Sequence, residues 1–207
     1  MDMTISIAII IINCIISFTS FNNPQRIADL SMNPYLVKEK NQYYRFISSG
    51  FVHADFQHLF FNMFTLYFFG RFIEGTFLQV FHSKIYYLLF YILALILSDV
   101  PTFIKQKNNP HYQAIGASGA VSAVVFASII FAPWQMIGVF FIPMPAVLYG
   151  VLYLGFTIYM ARRSEQSGIN HDAHLWGAIF GIVFPIIFEP RVGQFFIQEL
   201  LAGPGSR

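Results

Sequence analysis

Apolar residues along this chain fall in runs long enough to cross a lipid bilayer, which takes about 17–25 helical residues rising 1.5 Å each. The pattern predicts six membrane-spanning helices, over about residues 5–21, 56–73, 82–100, 115–132, 137–160 and 173–188. The first run has no basic segment before it and no small-residue cleavage site after it, so it is read as a retained span rather than a removed signal peptide. Pro143 and Pro145 are expected to bend the fifth span, and Pro185 stands near the end of the sixth. A short tail is expected from Glu189. The longest polar stretch is 22–50, where Arg26, Asp29, Lys38 and Arg45 mix with Leu30, Leu36, Val37 and Phe46. That mixture points to a loop on or in the membrane interface. A loop so long in a small protein is more often functional than idle. The expected fold class is all-α: a polytopic membrane protein whose six transmembrane helices make one domain over residues 1–207, with no repeat and no separate soluble domain.

Composition narrows the class further. Of 207 residues, 56% are hydrophobic and 11% charged, against roughly 25% charged in an ordinary soluble domain. Mean hydropathy is +0.58. These values exclude a soluble globule, a disordered chain and a disulfide scaffold. The net charge is +2, with no basic block, which argues against nucleic acid as a partner. Cys14, the single cysteine, lies in an apolar run and is read as packing or lipid contact.

Spans two, four and six run in the same direction, so their N-terminal ends share one side of the membrane. Those ends hold His53, His58 and Asn62, then Ser118, then His171 and His174. Polar residues within spans are costly and point to function by default. Ser118 sits in Gly116-Ala117-Ser118-Gly119, where loop turns into helix; Gly116 permits a sharp turn. The N–H groups of a helix start are unpaired and favour negative charge, so Ser118 could bind a developing oxyanion with its own N–H. A helix cap or small-residue packing explains an isolated serine of this kind equally well. His174 precedes Gly177 and Gly181, a small-residue pair that permits close helix approach on roughly the histidine's face. If that face meets span four, the imidazole reaches Ser118; otherwise it is a histidine bonded to interfacial water. His58 and Asn62, four residues apart, offer donors for an oxyanion or for an interhelical hydrogen bond. A metal held by His53, His58, His171, His174 and Asp172 is the other reading. No HExxH, paired carboxylates or cysteine pair accompanies it, and no metal is expected.

Four motifs, in order on their spans, resemble the rhomboid family of intramembrane serine proteases. Tyr44-Arg45 is similar to the family's Trp-Arg pair, with Tyr in place of Trp. His53, His58 and Asn62 resemble its second-helix motif. Gly116 to Gly119 match its GxSG motif. Ala173-His174-Leu175-Trp176-Gly177 with Gly181 matches its sixth-helix motif. The resemblance runs from Tyr44 to Gly181. It implies a Ser–His dyad, with Ser118 as nucleophile and His174 as general base and acid. It implies an oxyanion site from His58, Asn62 and the Ser118 N–H, and structural support from Arg45, His53, Gly116, Gly119, Gly177 and Gly181. It implies no metal or organic cofactor, and transmembrane proteins as substrates. Asp172, two residues from His174, is expected on another helix face. Ser122 stands where some family members place an aromatic ring beneath the histidine, which weakens the expected support of the imidazole. Ser98 is read as packing or capping ahead of holding a water.

Ser118 to Ala132 is 15 residues, about 22 Å of helix against a hydrocarbon core of roughly 30 Å. Ser118 is therefore expected below the membrane surface, under polar loops. Basic residues are more frequent in the segments on the Ser118 side than on the other. The positive-inside rule would make that side cytoplasmic, whereas the family resemblance implies an outward-facing site in a bacterial inner membrane. The alternative function is that of a rhomboid-like pseudoenzyme that binds membrane proteins without cutting them. The presence of Ser118 and His174 weighs against it.

Overall fold

The computed structural model describes residues 4–139, 142–163 and 170–205. Helix α1 (Ile5–Ser20) is capped by Thr4, whose hydroxyl accepts from the Ile7 N–H at 3.3 Å. A second cap comes from far along the chain. The Glu74 carboxylate accepts from the Ile5 and Ser6 N–H groups, each at 2.9 Å, and from the Ser6 hydroxyl at 2.8 Å. Negative charge at that helix end meets the positive pole of the helix dipole.

The polar stretch after α1 is largely helical. It holds α2 (Pro24–Leu30), α3 (Pro34–Lys40) and α4 (Arg45–Ser48), followed by a 3₁₀ turn at Ser49–Phe51. Asn23 and Asn33 cap α2 and α3, each with proline in the first turn, where its missing N–H costs nothing. Arg45 is buried and staples the segment. Its Nη1 donates to the carbonyls of Ala28 at 2.8 Å and Ser31 at 2.6 Å, and its Nε donates to Gln42 at 2.7 Å.

The second helical run extends past its expected end at 73. It comprises α5 (Phe56–Thr65), a π-helical segment at Leu66–Gly70 and α6 (Arg71–Phe81). The helix continues through Glu74, whose charge is met by α1. The third run also departs from its expected bounds of 82 and 100. His82 is left-handed, with φ 57°, and α7 spans Ile85–Gln106 with Pro101 inside. Helix α8 is Ser118–Phe131.

The expected fifth span is corrected most. Strands β1 (Met136–Val139) and β2 (Ile142–Pro145) pair antiparallel, Met136 opposite Pro145, and only then does α9 (Ala146–Ala161) begin. The two prolines do not bend a helix; they lack the N–H that a helix interior needs and sit in a two-stranded edge instead. Residues 140 and 141 of that span lie outside the described residues. Helix α10 covers His171–Phe188 and starts two residues before the expected 173. The expected tail is largely a helix, α11 (Arg191–Ala202), tied back where the Trp134 Nε1 donates to the Glu199 carbonyl at 2.9 Å. The described fold is thus helical except for one hairpin.

Helix α8 occupies the centre, buried at every residue from Gly119 to Ile130. A helix apolar on all sides belongs inside a bundle. Beneath it Phe77, Phe90 and Phe184 pack edge-to-face and stacked, with centroids 5.1–6.0 Å apart. The outer face of the second run shows a continuous stack of exposed rings, Phe56, Phe60, Phe64 and Phe68, a surface suited to lipid. Among the described residues α7 and α10 are long and apolar enough to cross a membrane by themselves; α1, α8 and α9 are apolar but shorter.

Candidate active site

The α8 start is built by its glycine turn. Gly116 has φ +115°, a left-handed conformation that other residues rarely adopt. Its N–H donates to the Ser49 carbonyl at 2.9 Å, while Met32 and Ala114 exchange backbone bonds of 2.9 and 3.0 Å. The turn is thereby fastened to the long polar segment. No side chain caps α8, so the first N–H groups of the helix, that of Ser118 among them, are left for another acceptor.

Helix α10 approaches α8 as closely as backbones allow. A Cβ at Gly177 would fall into the Gly119 carbonyl, and one at Gly181 into that of Ala123. This contact brings His174 to Ser118, with Nε2 and Oγ 2.7 Å apart. With the hydroxyl donating, Nε2 is the acceptor and the ring proton lies on Nδ1. A hydroxyl so placed can pass its proton to the imidazole as it attacks an acyl carbon.

The ring supporting His174 comes from an unexpected helix. Tyr153 of α9 lies parallel to the imidazole, at 7° and 6.5 Å between centroids. Its hydroxyl is 2.7 Å from the Ser122 hydroxyl. Ser122 therefore does not leave the imidazole unsupported, because it anchors an aromatic from α9. The only trace of Tyr153 in the sequence is a tyrosine in an apolar run, whose hydroxyl must find a partner.

His53 is fully buried and links three segments. The Ser17 hydroxyl donates to the Phe51 carbonyl at 3.1 Å, so the His53 Nδ1–H donates to Ser17 at 2.9 Å. Nε2 then accepts the Ala117 N–H at 3.4 Å, directly before Ser118. Burial, with His58 beside it and Asp55 only partly opposing, holds His53 down at about 3 and therefore neutral. His58 lies in the first turn of α5, whose Asp55 cap accepts its N–H at 2.7 Å. Its ring lies against Gly116, where any Cβ would strike it. Asn62 is buried one turn below and donates one amide hydrogen to the His58 carbonyl at 2.9 Å; the amide has a second to give.

Sequence reasoning missed a carboxyl group beside this site. Asp99 of α7 accepts from the Asn170 side chain at 3.2 Å. Asn170 in turn caps α10, accepting the Ala173 N–H at 3.1 Å and the Thr102 hydroxyl at 2.9 Å. Asp99 therefore joins α7 to the start of the helix that carries His174. It lines a small cavity with Ser49, Ser98, Ser118 and Asn170. In the sequence it lies within the expected third span, next to its last residue. Ser98 bonds its own helix at the Leu95 carbonyl, 3.2 Å away. Asp172 points away from the dyad, as expected, and pairs with Lys105 at 2.6 Å. His171 is buried, edge-on to His174 at 6.2 Å. Among the described residues no three His, Cys, Asp or Glu side chains gather as a metal would require.

The Rhomboid domain family model matches residues 40–191. "RHOMBOID-like protein 12, mitochondrial" of Arabidopsis thaliana is 32% identical over 164 residues, covering 71% of this chain and 48% of that protein. "Rhomboid-like protein 11, chloroplastic" of the same plant is 27% identical, over 72% of this chain and 54% of its own length. "Rhomboid-related protein 1" of Caenorhabditis elegans is 26% identical, over 81% and 46%. The chain spans about half the length of the curated relatives it matches. The matched region runs from the end of α3 to the start of α11 and encloses Ser118, His174, His58 and Asn62, and this chain belongs to the rhomboid family of integral membrane proteins.

Proposed function

We propose that this protein is an intramembrane serine endopeptidase that cuts transmembrane segments of membrane-protein substrates with a Ser118–His174 dyad. The observation that carries the reading is the 2.7 Å contact between the two side chains, made across helices that only glycines allow so close. Ser118 Oγ attacks the scissile carbonyl carbon as its proton passes to His174 Nε2. The tetrahedral oxyanion is held by the Ser118 N–H at the uncapped start of α8, with His58 and the free amide hydrogen of Asn62 as further donors. Collapse expels the amine, protonated by His174, and leaves an acyl-enzyme that water hydrolyses. Arg45, His53, Gly116, Gly119, Gly177 and Gly181 hold the loop and helices that carry these groups.

The proposed topology is one domain crossing the membrane six times, with the α5–α6 run as a single crossing. Helix α8 has 14 residues, about 21 Å, against roughly 30 Å of hydrocarbon. Ser118 then lies below the surface, where irregular backbone is tolerated because it is enclosed by protein or lines a wet cavity. A substrate helix must unwind to present a peptide bond, so small and helix-breaking residues near the cut are favoured. Two of the relatives are named as mitochondrial and chloroplastic and lend a bacterial inner membrane no support; the reading stands in any bilayer. The test is covalent labelling with a fluorophosphonate, read as intact mass. One adduct is expected at Ser118, lost in Ser118→Ala and strongly reduced in His174→Ala. Equal labelling of all three proteins would overturn the dyad.

A further inference from the structure

A second concave surface lies at the opposite end of the bundle from Ser118. It is an open groove of about 610 Å³ between the start of α1, the join of α5 to α6 and the start of α7. The π-helical segment at Leu66–Gly70 forms its back. Such segments carry an extra residue in one turn and often accompany function. Here the segment places Tyr67 and Phe68 on the groove, with Arg71 and Phe72 following.

The groove is positive. The Arg71 Nη1 donates to the Tyr67 hydroxyl at 3.1 Å, and its guanidinium lies 5.2 Å from the centre of the same ring. It is thus held in place by neutral groups. Lys84, at the start of α7, lines the groove as well. Among the described residues neither cation is paired with a carboxylate. The carboxylate within the groove, Glu74, is buried and already accepts three bonds from α1. Next to the cations the walls are exposed and apolar: Phe68, Phe72 and Leu78. We propose that this groove binds the phosphodiester headgroup of an anionic glycerophospholipid between Arg71 and Lys84, with its acyl chains along Phe68, Phe72 and Leu78.

The pairing of charge with apolar wall selects the ligand. A water-soluble anion would satisfy the cations and leave the aromatic wall uncovered. A zwitterionic lipid brings its own ammonium group against Arg71 and Lys84. An anionic lipid matches both parts, at the depth where headgroup meets chain. Each cation near an anionic leaflet strengthens attraction by about fivefold. The site is independent of the catalytic reading.

The full chain, delipidated in neutral detergent, is titrated separately with phosphatidylglycerol, phosphatidylcholine and glycerol phosphate. Melting temperature and native mass spectrometry report binding. Phosphatidylglycerol is expected to raise the melting temperature and stay bound, and the other two are not. Arg71→Gln or Lys84→Gln weakens its apparent affinity about fivefold, and the double change about 25-fold. Arg71→Lys retains most of the response, which separates charge from packing on Tyr67. Lys38→Gln, near the other membrane face, leaves the response unchanged. Both groove cations are exposed, so the variants keep a near-normal melting temperature without lipid. An undiminished response in the double variant, or an equal response to phosphatidylcholine or glycerol phosphate, overturns the proposal.

Discussion

Asn62 and His53 are both polar residues held inside the bundle, and the structure separates their work. Asn62 spends one amide hydrogen on its own helix, and under the proposed mechanism the other meets charge that develops during reaction. Asn62→Ala is therefore expected to lower kcat by about 10²–10³, as loss of one oxyanion donor does, with little change in KM. Measuring kcat beside the melting temperature in detergent checks this. A lower melting temperature with near-normal kcat would make the amide a structural bond. His53 instead works through structure, as an acceptor that must stay neutral. Unfolded, it binds a proton near 6.5; folded, it stays neutral down to about 3. Between those values the unfolded chain holds more protons, so His53 makes stability fall as pH drops below 6.5. The melting temperature of wild type is expected to fall more steeply from pH 7 to 5 than that of His53→Gln. Parallel curves would contradict this role.

At the level of elements, the Ser118–His174 contact depends on how closely α8 and α10 pack. Gly177→Ala drives a methyl group into the Gly119 carbonyl; overpacking of that kind typically costs about 1–3 kcal/mol, and relief requires the helices to part. A lowered melting temperature and loss of fluorophosphonate labelling at Ser118 are expected together. Normal labelling would show that the dyad tolerates a wider separation. Much of this interface was legible in the sequence. Gly177 and Gly181 share a helix face with His174, and the apolar runs marked the helices. What escaped depended on partners distant in the chain. Glu74 lies just beyond the expected end of the second span, and only its donors in α1 explain why the helix continues through it. Tyr153 and Asp99 gain meaning only from Ser122 and Asn170, in other helices. The stretch 136–145 is apolar enough to suggest helix, and a proline in such a run suggests a bend, whereas Pro143 and Pro145 belong to a paired strand.

Across the whole molecule, polar chemistry collects at one end of an apolar bundle and a cationic groove at the other. The Ser118 end combines an uncapped central helix, a histidine helix capped through Asp99 and Asn170, and a glycine turn locked by His53. The proposed function requires this end to cut a membrane-embedded peptide. The most direct measurement is cleavage of a model transmembrane substrate by the purified full chain in detergent, followed on a gel and by mass of the fragments. Wild type is expected to produce two fragments from one cut within or beside the apolar segment, and Ser118→Ala of equal melting temperature none. Binding of the substrate without cleavage by wild type, or the same fragments from both proteins, would contradict the account.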